Sequence, residues 1–249
     1  MQLDGKVAII TGGSRGIGKA IAKAFVREGA TAVICGRKAE GVEAAARDIG
    51  ERAIPVACHV GKPEDLERLV TSVTGKYGHI DILVNNAATN VAQGPALTID
   101  DNQFDKMIEV NLKSAFRLVR LVGPGMCQRG SGSIINIASI AGIRPQFQGM
   151  LYSTTKAALM MMTQCYALEL GPLGVRVNAI APGLVKTVLS EYYWKDESRL
   201  AEVLEHQPIK HLGQPEEIAE IALMLAGDRA SYLTGQVITV DGGATIVGH

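Results

Sequence analysis

The sequence predicts an α/β fold in which a parallel, doubly wound sheet is covered by helices on both faces. Short apolar segments alternate with helical patterns along nearly the whole chain. Hydrophobic residues make up 47% of the sequence and aromatic residues only 4%, so small aliphatic side chains dominate. Parallel strands are buried on both faces and need such side chains. At 249 residues, we expect a single domain over residues 1–249.

Charge and cysteine content exclude several classes of partner. Twenty-five basic and twenty-five acidic residues cancel, so we expect no nucleic-acid partner and no membrane partner. The N-terminus has no apolar signal region, and no apolar run approaches the ~18 residues of a membrane span, which predicts a soluble cytoplasmic protein. No metal site is expected, because the cysteines lack neighbours at metal-ligand spacing. We expect reduced core thiols at Cys35, Cys58, Cys127 and Cys165.

A glycine-rich loop follows the first predicted strand, residues 6–11. Gly12 permits a tight turn, Gly16 allows the backbone to approach a pyrophosphate, and Gly18 allows the next helix to pack on the strand. A helix N-terminus that follows such a loop supplies N–H donors and a positive dipole end. The loop therefore predicts an anion site for a dinucleotide, formed by Gly12, Ser14, Arg15, Gly16, Ile17 and Gly18.

The second predicted strand, residues 31–35, indicates which dinucleotide is bound. An NAD site carries an acidic residue at about this point to hold the ribose 2′-hydroxyl, whereas arginine accommodates a 2′-phosphate. Here Arg37 follows the strand and no acidic residue is present. Arg15 can approach the same phosphate from the glycine loop. The predicted cofactor is NADP(H).

The middle of the chain continues the alternation of strand and helix. A fourth strand over residues 81–88 ends in a small polar cluster, at the edge where open α/β sheets bind ligands. A helical pattern over residues 101–122 contains Asn111, a poor helix former. Residues 123–125, Gly-Pro-Gly, are expected to kink or end this helix. The other predicted elements here are a helix over 39–51, a strand over 53–59 and a helix from Pro63.

Tyr152 and Lys156 form the centre of the predicted active site. In a helix over residues 151–171 they lie one turn apart on one face, about 5–6 Å between Cβ atoms. A phenol titrates near ~10 and is a poor proton donor at neutral pH unless a cation stabilises its phenolate. Ser139 ends the preceding apolar strand, residues 133–138. The three side chains together predict proton transfer.

The C-terminal part contains a candidate lid. A sixth strand over residues 175–180 precedes it, and a helix from Pro215 and a strand over 237–240 follow it. Residues 188–206 carry apolar and aromatic side chains at roughly helical spacing between two sheet elements. We expect this segment, extending to about residue 212, to cover the substrate and to be mobile.

These motifs together resemble the short-chain dehydrogenase/reductase family, over essentially the whole chain. The resemblance implies a Rossmann-like domain with a seven-stranded parallel sheet and a homotetramer. It also implies reduction of a ketone or aldehyde by NADPH. The matching positions are residues 11–18, Asn85, Asn86, Ala87, Asn111, Ser139, Tyr152, Lys156, Pro182, Gly183 and Thr187.

The resemblance also implies individual roles. Tyr152 would protonate the carbonyl oxygen, Ser139 would hydrogen-bond that oxygen, and Lys156 would bind the nicotinamide ribose and lower the tyrosine pKa. Asn111 would break its helix so that a backbone carbonyl holds a water of the proton relay. Further cofactor contacts would be Arg37, Val60, Asn86 along the ribose, Ala87, Pro182, Gly183, Val185 and, at the carboxamide, Thr187.

Three positions depart from the family pattern. His59 stands where the family often has an aspartate that contacts adenine. Ala88 replaces the glycine that commonly ends the Asn-Asn-Ala-Gly motif, and glycines flank Pro124 in the helix that typically forms subunit contacts. None of these positions belongs to the catalytic set.

The substrate remains open between three classes and one non-enzymatic alternative. An aromatic cluster at residues 192–194 favours an apolar carbonyl substrate if it covers the pocket, and is equally compatible with core packing. Leu173 stands where carrier-protein reductases present a basic residue, which disfavours a 3-oxoacyl-carrier-protein reductase, although Arg129 could serve. Arg144, Gln146 and Gln148 keep a sugar-acid or polyol dehydrogenase possible. A non-catalytic NADP(H) sensor would usually lack Tyr152 or Lys156, and both are present.

Overall fold

One seven-stranded parallel sheet organises the chain. The structure, a computed structural model, describes residues 1–247. The strands lie in the order β3-β2-β1-β4-β5-β6-β7, and every neighbouring pair is parallel. The predicted α/β fold is therefore confirmed. The strands are β1 Val7–Thr11, β2 Thr31–Gly36, β3 Ala53–Ala57, β4 Ile82–Asn85, β5 Gly132–Ile137, β6 Val175–Pro182 and β7 Val237–Val240.

Nine α-helices of the described residues connect and cover these strands. Short 3-10 segments occur between them, such as Val188–Ser190 before the seventh helix. The helices are α1 Gly16–Arg27, α2 Ala39–Ile49, α3 Pro63–Tyr77, α4 Asp101–Ile108, α5 Ser114–Arg129, α6 Met150–Leu170, α7 Glu191–Trp194, α8 Glu197–Glu205 and α9 Pro215–Ala226.

Two apolar cores lie on opposite faces of the sheet because side chains alternate along each strand. On one face, Phe25 of α1 and Leu223 of α9 pack against β1 residues that include Ile10. On the other face, Leu66 of α3 and Leu118 of α5 pack in a second cluster. All four of these helix side chains are at most 3% exposed. Both faces of the sheet are therefore removed from water.

The strand order places a topological switch point between β1 and β4. Ile9 of β1 pairs with Val33 of β2 on one side and with Leu83 of β4 on the other. The connections from β1 and β4 leave in opposite directions, which opens a crevice at the carboxyl ends of the strands. This crevice is where ligands bind in open α/β sheets.

The helix predicted over residues 101–122 differs from the structure. A π-helix at Glu109–Lys113 separates α4 from α5. The expectation that residues 123–125 end the helix is wrong, since α5 continues through Pro124 to Arg129. Gly123 and Met126 on this turn are buried, so tertiary packing retains the helix despite the N–H that proline lacks.

The cysteines are all free, but not all lie in the core. Cys35 and Cys58 are buried as expected, and Cys127 is half-buried. Cys165 is exposed on α6, so its placement in the core was wrong: its side chain falls on the outer face of the helix. Among residues 1–247, no helix is both long and apolar enough to cross a membrane.

Candidate active site

A cavity of about 940 Å³ lies at the carboxyl edge of the sheet. The loops after β1 to β6 all contribute to it, as does the segment before α7. Nearly all of the predicted site residues line this cavity. The two exceptions are Gly18 and Asn111, which support its wall from behind.

Hydrogen bonds from the β4 end fix the glycine loop. The side-chain amide of Asn86 donates to the carbonyls of Thr11 (2.8 Å) and Gly12 (3.3 Å). The Thr11 hydroxyl accepts from the backbone N–H groups of Asn86 and Ala87. A Cβ atom at Gly18 would lie 2.5 Å from this amide nitrogen, so only glycine fits there. Gly18 therefore allows close packing of α1 against the loop after β4.

The N-terminus of α1 opens onto the cavity. The N-cap residue of this 12-residue helix, Arg15, makes no capping hydrogen bond with its side chain, so first-turn N–H groups lack a capping partner. Gly16 begins the helix with φ of 53°, and a Cβ there would lie 3.2 Å from Thr187. Ser14 and Ile17 line the cavity beside it. Unpaired N–H groups and a positive dipole end suit the pyrophosphate of a dinucleotide.

Three cationic side chains surround the end of the cavity next to β2. Arg15, Arg37 and Lys38 line the wall there. None has a carboxylate within 4.0 Å among the described residues, and no Asp or Glu of residues 1–247 lines the cavity. Lys38 was not predicted from the sequence, although it follows Arg37 directly. Unpaired cations at this position fit a 2′-phosphate.

His59 and Val60 line the cavity at the end of β3. The His59 backbone N–H donates to Asp65 Oδ2 (2.8 Å), and its ring Nδ1 accepts from the Gly61 N–H (3.1 Å). This hydrogen bond leaves the proton on Nε2. At this end of the cavity, His59 can therefore donate a hydrogen bond to the edge of a nucleotide base. An aspartate at the same position would accept a hydrogen bond instead.

Ser139, Tyr152 and Lys156 converge on one wall of the cavity. Lys156 is 2% exposed, and its Nζ donates to the Ile137 carbonyl at 2.7 Å. The same nitrogen lies 5.6 Å from the centroid of the Tyr152 ring. The Tyr152 hydroxyl is hydrogen-bonded to the Ser139 side chain. The helix α6 and the end of β5 thus bring together the three residues predicted as catalytic.

Burial controls the protonation of this group. It raises the pKa of Tyr152 to about 12, against a smaller lowering by the Ser139 hydrogen bond. It also lowers the pKa of Lys156 to about 8. The lowering of the tyrosine pKa by Lys156, which the family resemblance implies, stays a prediction. At neutral pH, Tyr152 therefore carries its proton.

Asn111 acts from behind this wall rather than in it. The side chain is 2% exposed and lies at the middle of the π-helix. Its Oδ1 accepts from the Thr89 N–H (2.8 Å), and its Nδ2 donates to the Thr89 carbonyl (2.9 Å) and to Thr155 Oγ1 (3.2 Å). Asn111 therefore ties the loop after β4 to the helix of Tyr152.

The segment after β6 forms the wall opposite the α1 N-terminus. Its predicted residues Pro182, Gly183, Val185 and Thr187 all line the cavity. The Thr187 carbonyl accepts from the indole Nε1 of Trp194 at 2.9 Å, and its hydroxyl lies 3.1 Å from Ser190 Oγ. Trp194 therefore holds Thr187 from outside the cavity.

The candidate lid consists of short, lightly packed helices. None of residues 188–206 is buried, so its apolar pattern does not form a core. Of the three adjacent aromatic residues only Tyr193 lines the cavity, while Tyr192 and Trp194 do not. Neither alternative, covering the pocket or packing as core, therefore holds for the whole cluster. The geometry of a four-residue helix points successive side chains in different directions.

Several lining residues were missed by sequence reasoning. Ala244 and Thr245 reach the cavity because the chain reverses after β7 through Gly242 and Gly243, both at positive φ. The Asp241 carboxylate fixes this turn by accepting hydrogen bonds from the N–H groups of Gly243 and Thr245, and its Asp-Gly-Gly sequence was a usable signal.

Asn90 and Lys106 also line the cavity, without a recognisable motif. Arg144 and Gln146 line it as well, whereas Gln148 does not.

Comparison with known proteins shows the family. Residues 12–245 match the family model described as enoyl-(acyl carrier protein) reductase. The chain is 41% identical over 246 residues to dehydrogenase/reductase SDR family member 4 of Oryctolagus cuniculus, covering 97% of this chain and 94% of that protein. It is 36% identical to a 3-oxoacyl-[acyl-carrier-protein] reductase of Thermotoga maritima, covering 99% and 100%. The chain belongs to the short-chain dehydrogenase/reductase family.

Solved structures agree with this assignment. A putative short-chain alcohol dehydrogenase from Sinorhizobium meliloti superposes with a TM-score of 0.94 at 32% identity, covering 99% of both chains. A putative NAD(P)-dependent gluconate 5-dehydrogenase from Beutenbergia cavernae, with bound NADP at low occupancy, gives 0.93 at 34% identity and covers 98% of both. The protein is an oxidoreductase of a family that uses a nicotinamide cofactor.

Proposed function

We propose that the protein uses NADPH to reduce a ketone or aldehyde to an alcohol, with Tyr152 as the general acid. The observation that carries this proposal is the convergence of Ser139, Tyr152 and Lys156 on one wall of the cavity. Burial raises the Tyr152 pKa to about 12, so the phenol holds its proton at neutral pH, and the Lys156 ammonium, 5.6 Å from the ring centroid, stabilises the phenolate that remains after donation. A protonated acid is required in the direction of reduction.

Each residue of this group has a separate task. Ser139 hydrogen-bonds the carbonyl oxygen and orients it towards Tyr152, which donates its proton as negative charge develops there. The buried ammonium of Lys156, held by the Ile137 carbonyl, approaches the cofactor ribose. Asn111 positions α6 through Thr155. NADPH supplies the hydride.

The cofactor assignment depends on residues at the opposite end of the cavity. The uncapped N-terminus of α1 would hold the pyrophosphate, and Arg15, Arg37 and Lys38 would hold the 2′-phosphate. The absence of any lining carboxylate among the described residues supports NADPH over NADH, since an acidic residue would repel the phosphate. Asn86, fixed by Thr11, lies where the adjoining ribose would pass.

The test is oxidation of NADPH with a panel of ketones, aldehydes and diketones. We expect turnover by the wild type and a roughly 10²–10⁴-fold lower kcat for Tyr152→Phe, because a positioned acid is lost. The dissociation constant for NADPH should change little. Tyr166→Phe, in the same helix but outside the cavity, is the matched control. Near-native turnover by a folded Tyr152→Phe variant would refute the mechanism.

Two other substrate classes retain specific support. The Thermotoga maritima relative is named a carrier-protein reductase, but Leu173 is 49% exposed where a basic docking residue is expected. Arg129 donates to the carbonyls of Gly125 and Ile80, so its guanidinium already has backbone partners. The gluconate 5-dehydrogenase similarity and the polar residues Arg144 and Gln146 favour a sugar acid more than a carrier protein.

A homotetramer is proposed from the family resemblance. Apolar side chains are exposed on the outer faces of α5 and α6, at Phe116, Leu121, Met161 and Leu168. Exposed apolar patches on helices mark protein interfaces. Light scattering coupled to size exclusion should give four times the mass of one chain, and a monomeric mass would contradict this.

A further inference from the structure

The cavity is strongly biased towards positive charge. The whole chain has equal numbers of acidic and basic residues, yet the lining contains several cations and, within residues 1–247, no carboxylate. Three of the cations are accounted for by the proposed 2′-phosphate site and one by catalysis. The lining cations are Arg15, Arg37, Lys38, Lys106, Arg144 and Lys156.

Arg144 is the remaining cation that shares a loop with a catalytic residue. It follows Ser139 in the connection from β5 to α6, so its guanidinium belongs to the substrate end of the cavity. Its Nη1 donates to the Val247 carbonyl at 2.9 Å, and no carboxylate of the described residues lies within 4.0 Å. A guanidinium carries five donors, so most remain for a ligand.

Two hydrogen bonds of Gln146 fix the loop that carries Arg144. The Gln146 N–H donates to Ser153 Oγ of α6 at 3.1 Å, and the Gln146 side-chain amide donates to the Tyr193 hydroxyl. Pro145, between Arg144 and Gln146, restricts the backbone further. Arg144 is thus presented from a fixed loop, and a fixed donor loses less entropy on binding a ligand.

Two further polar groups lie at the same end. The Tyr193 hydroxyl accepts from Gln146 and also from Gln93 Nε2 at 3.3 Å, which leaves its own proton for another acceptor. Asn90 Oδ1 is buried and has no donor among the described residues. Both residues line the cavity. A buried acceptor without a partner is costly unless a ligand or water satisfies it.

We infer that the substrate is an oxo acid whose carboxylate binds Arg144, while Tyr193 and Asn90 bind polar groups along its chain. This inference rests on the carbonyl reductase function proposed above. A planar guanidinium binds a carboxylate by donating two parallel N–H hydrogen bonds, and no lining acid of residues 1–247 competes for it. An uncharged apolar ketone would leave the guanidinium without a charged partner and Asn90 Oδ1 without a donor.

The experiment compares each acid with its own methyl ester. The substrates are 4-oxopentanoate, 5-oxohexanoate and their methyl esters, with NADPH and the wild-type enzyme. We expect kcat/KM to favour acid over ester by about tenfold or more, the effect of one charge-assisted pair. The acid-to-ester ratio should fall close to one in Arg144→Gln and only partly in Arg144→Lys. Arg47→Gln, an exposed arginine of α2 outside the cavity, should leave the ratio and the rates unchanged.

The outcomes separate this inference from the proposed function. Reduction of esters at least as fast as acids, or an unchanged ratio in Arg144→Gln, would overturn the oxo-acid inference and leave the reductase intact. If no carbonyl compound is reduced, the proposed function fails. In that case, calorimetric binding of 5-oxohexanoate and of its amide to the NADP⁺ complex tests the carboxylate site without turnover. Tighter binding of the acid that is lost in Arg144→Gln supports the carboxylate site, and equal binding overturns it.

Discussion

The side chain of Asn111 donates a hydrogen bond to the hydroxyl of Thr155 at 3.2 Å, which links the π-helix to α6. Thr155 lies one residue before Lys156, and its hydroxyl also donates to the Tyr152 carbonyl at 2.8 Å. A buried amide thereby fixes the turn of helix that carries the proton donor. The position of Tyr152 depends on a residue about forty positions earlier in the chain.

Replacement of Asn111 should therefore affect both stability and turnover. In Asn111→Ala, the Thr89 N–H and carbonyl lose buried partners, which should lower the free energy of unfolding by about 1–3 kcal/mol. The value of kcat should fall as well, since α6 loses one constraint. Urea denaturation and NADPH oxidation measure the two effects. Asn102→Ala, exposed on α4, is the control, and equal behaviour of both variants would contradict the role of Asn111.

Cofactor preference follows from the cations next to β2. We expect kcat/KM to favour NADPH over NADH, because hydrogen bonds to a charged phosphate contribute about 1.5–3 kcal/mol. Arg37→Ala should reduce the NADPH-to-NADH ratio about tenfold or more, and Lys38→Ala should reduce it less. Arg47→Ala should not change it. Equal kcat/KM values for the two cofactors in the wild type would overturn the assignment.

The buried lysine predicts a dependence of stability on pH. The Lys156 pKa of about 8 in the folded chain lies below the value near 10.4 of an unfolded one. Between these values the unfolded state binds more protons, so the free energy of unfolding rises with pH, by about 3 kcal/mol in total. The cost of burying the charge is fully present below pH 8.

Tyr152 opposes this trend only above its unfolded pKa near 10. Its folded pKa of about 12 means that the folded state then holds more protons, and stability falls as pH rises further. The useful window is therefore roughly pH 8 to 10. Urea unfolding of wild type and Lys156→Met across this window should show a rise in the wild type that the variant lacks. Parallel pH profiles would contradict a depressed lysine pKa.

The segment over residues 188–206 should exchange its amide protons faster than the sheet. It buries none of its side chains, so little free energy opposes its local opening. Binding of cofactor and substrate together should slow this exchange, because closure excludes water. Hydrogen–deuterium exchange with mass spectrometry measures both states. Exchange as slow as in β1 or β4 without ligands would show that the segment is not a lid.

Two neighbouring aromatic residues of this segment should give different kinetic effects. Tyr193→Phe removes a hydroxyl inside the cavity and should raise KM for the carbonyl substrate. Trp194→Phe removes the indole donor to the Thr187 carbonyl and should raise KM for NADPH instead. Steady-state kinetics with each substrate varied separately distinguish the two. Tyr192→Phe, exposed outside the cavity, is the control, and matching changes in both variants would refute the distinction.

The sequence by itself determined the fold and marked many of the residues that line the cavity. Strand patterns predict all seven strands, and local motifs predict that the glycine loop, Arg37, Ser139, Tyr152 and Lys156 belong to one site. These signals are local, because strand burial, helix spacing and phosphate loops each depend on residues close in the chain. Residues next to motif positions, such as Lys38, were missed only because no pattern marks them.

The tertiary structure decided what depends on contacts between distant segments. The π-helix at Glu109–Lys113 lies where Asn111 bonds Thr89 and Thr155, and α5 continues past Pro124 because neighbouring side chains are buried. Periodicity also could not tell which aromatic of α7 faces inward, or that Val247 meets Arg144. Each outcome is set by packing and hydrogen bonding across the fold, which override local propensity when buried partners must be satisfied.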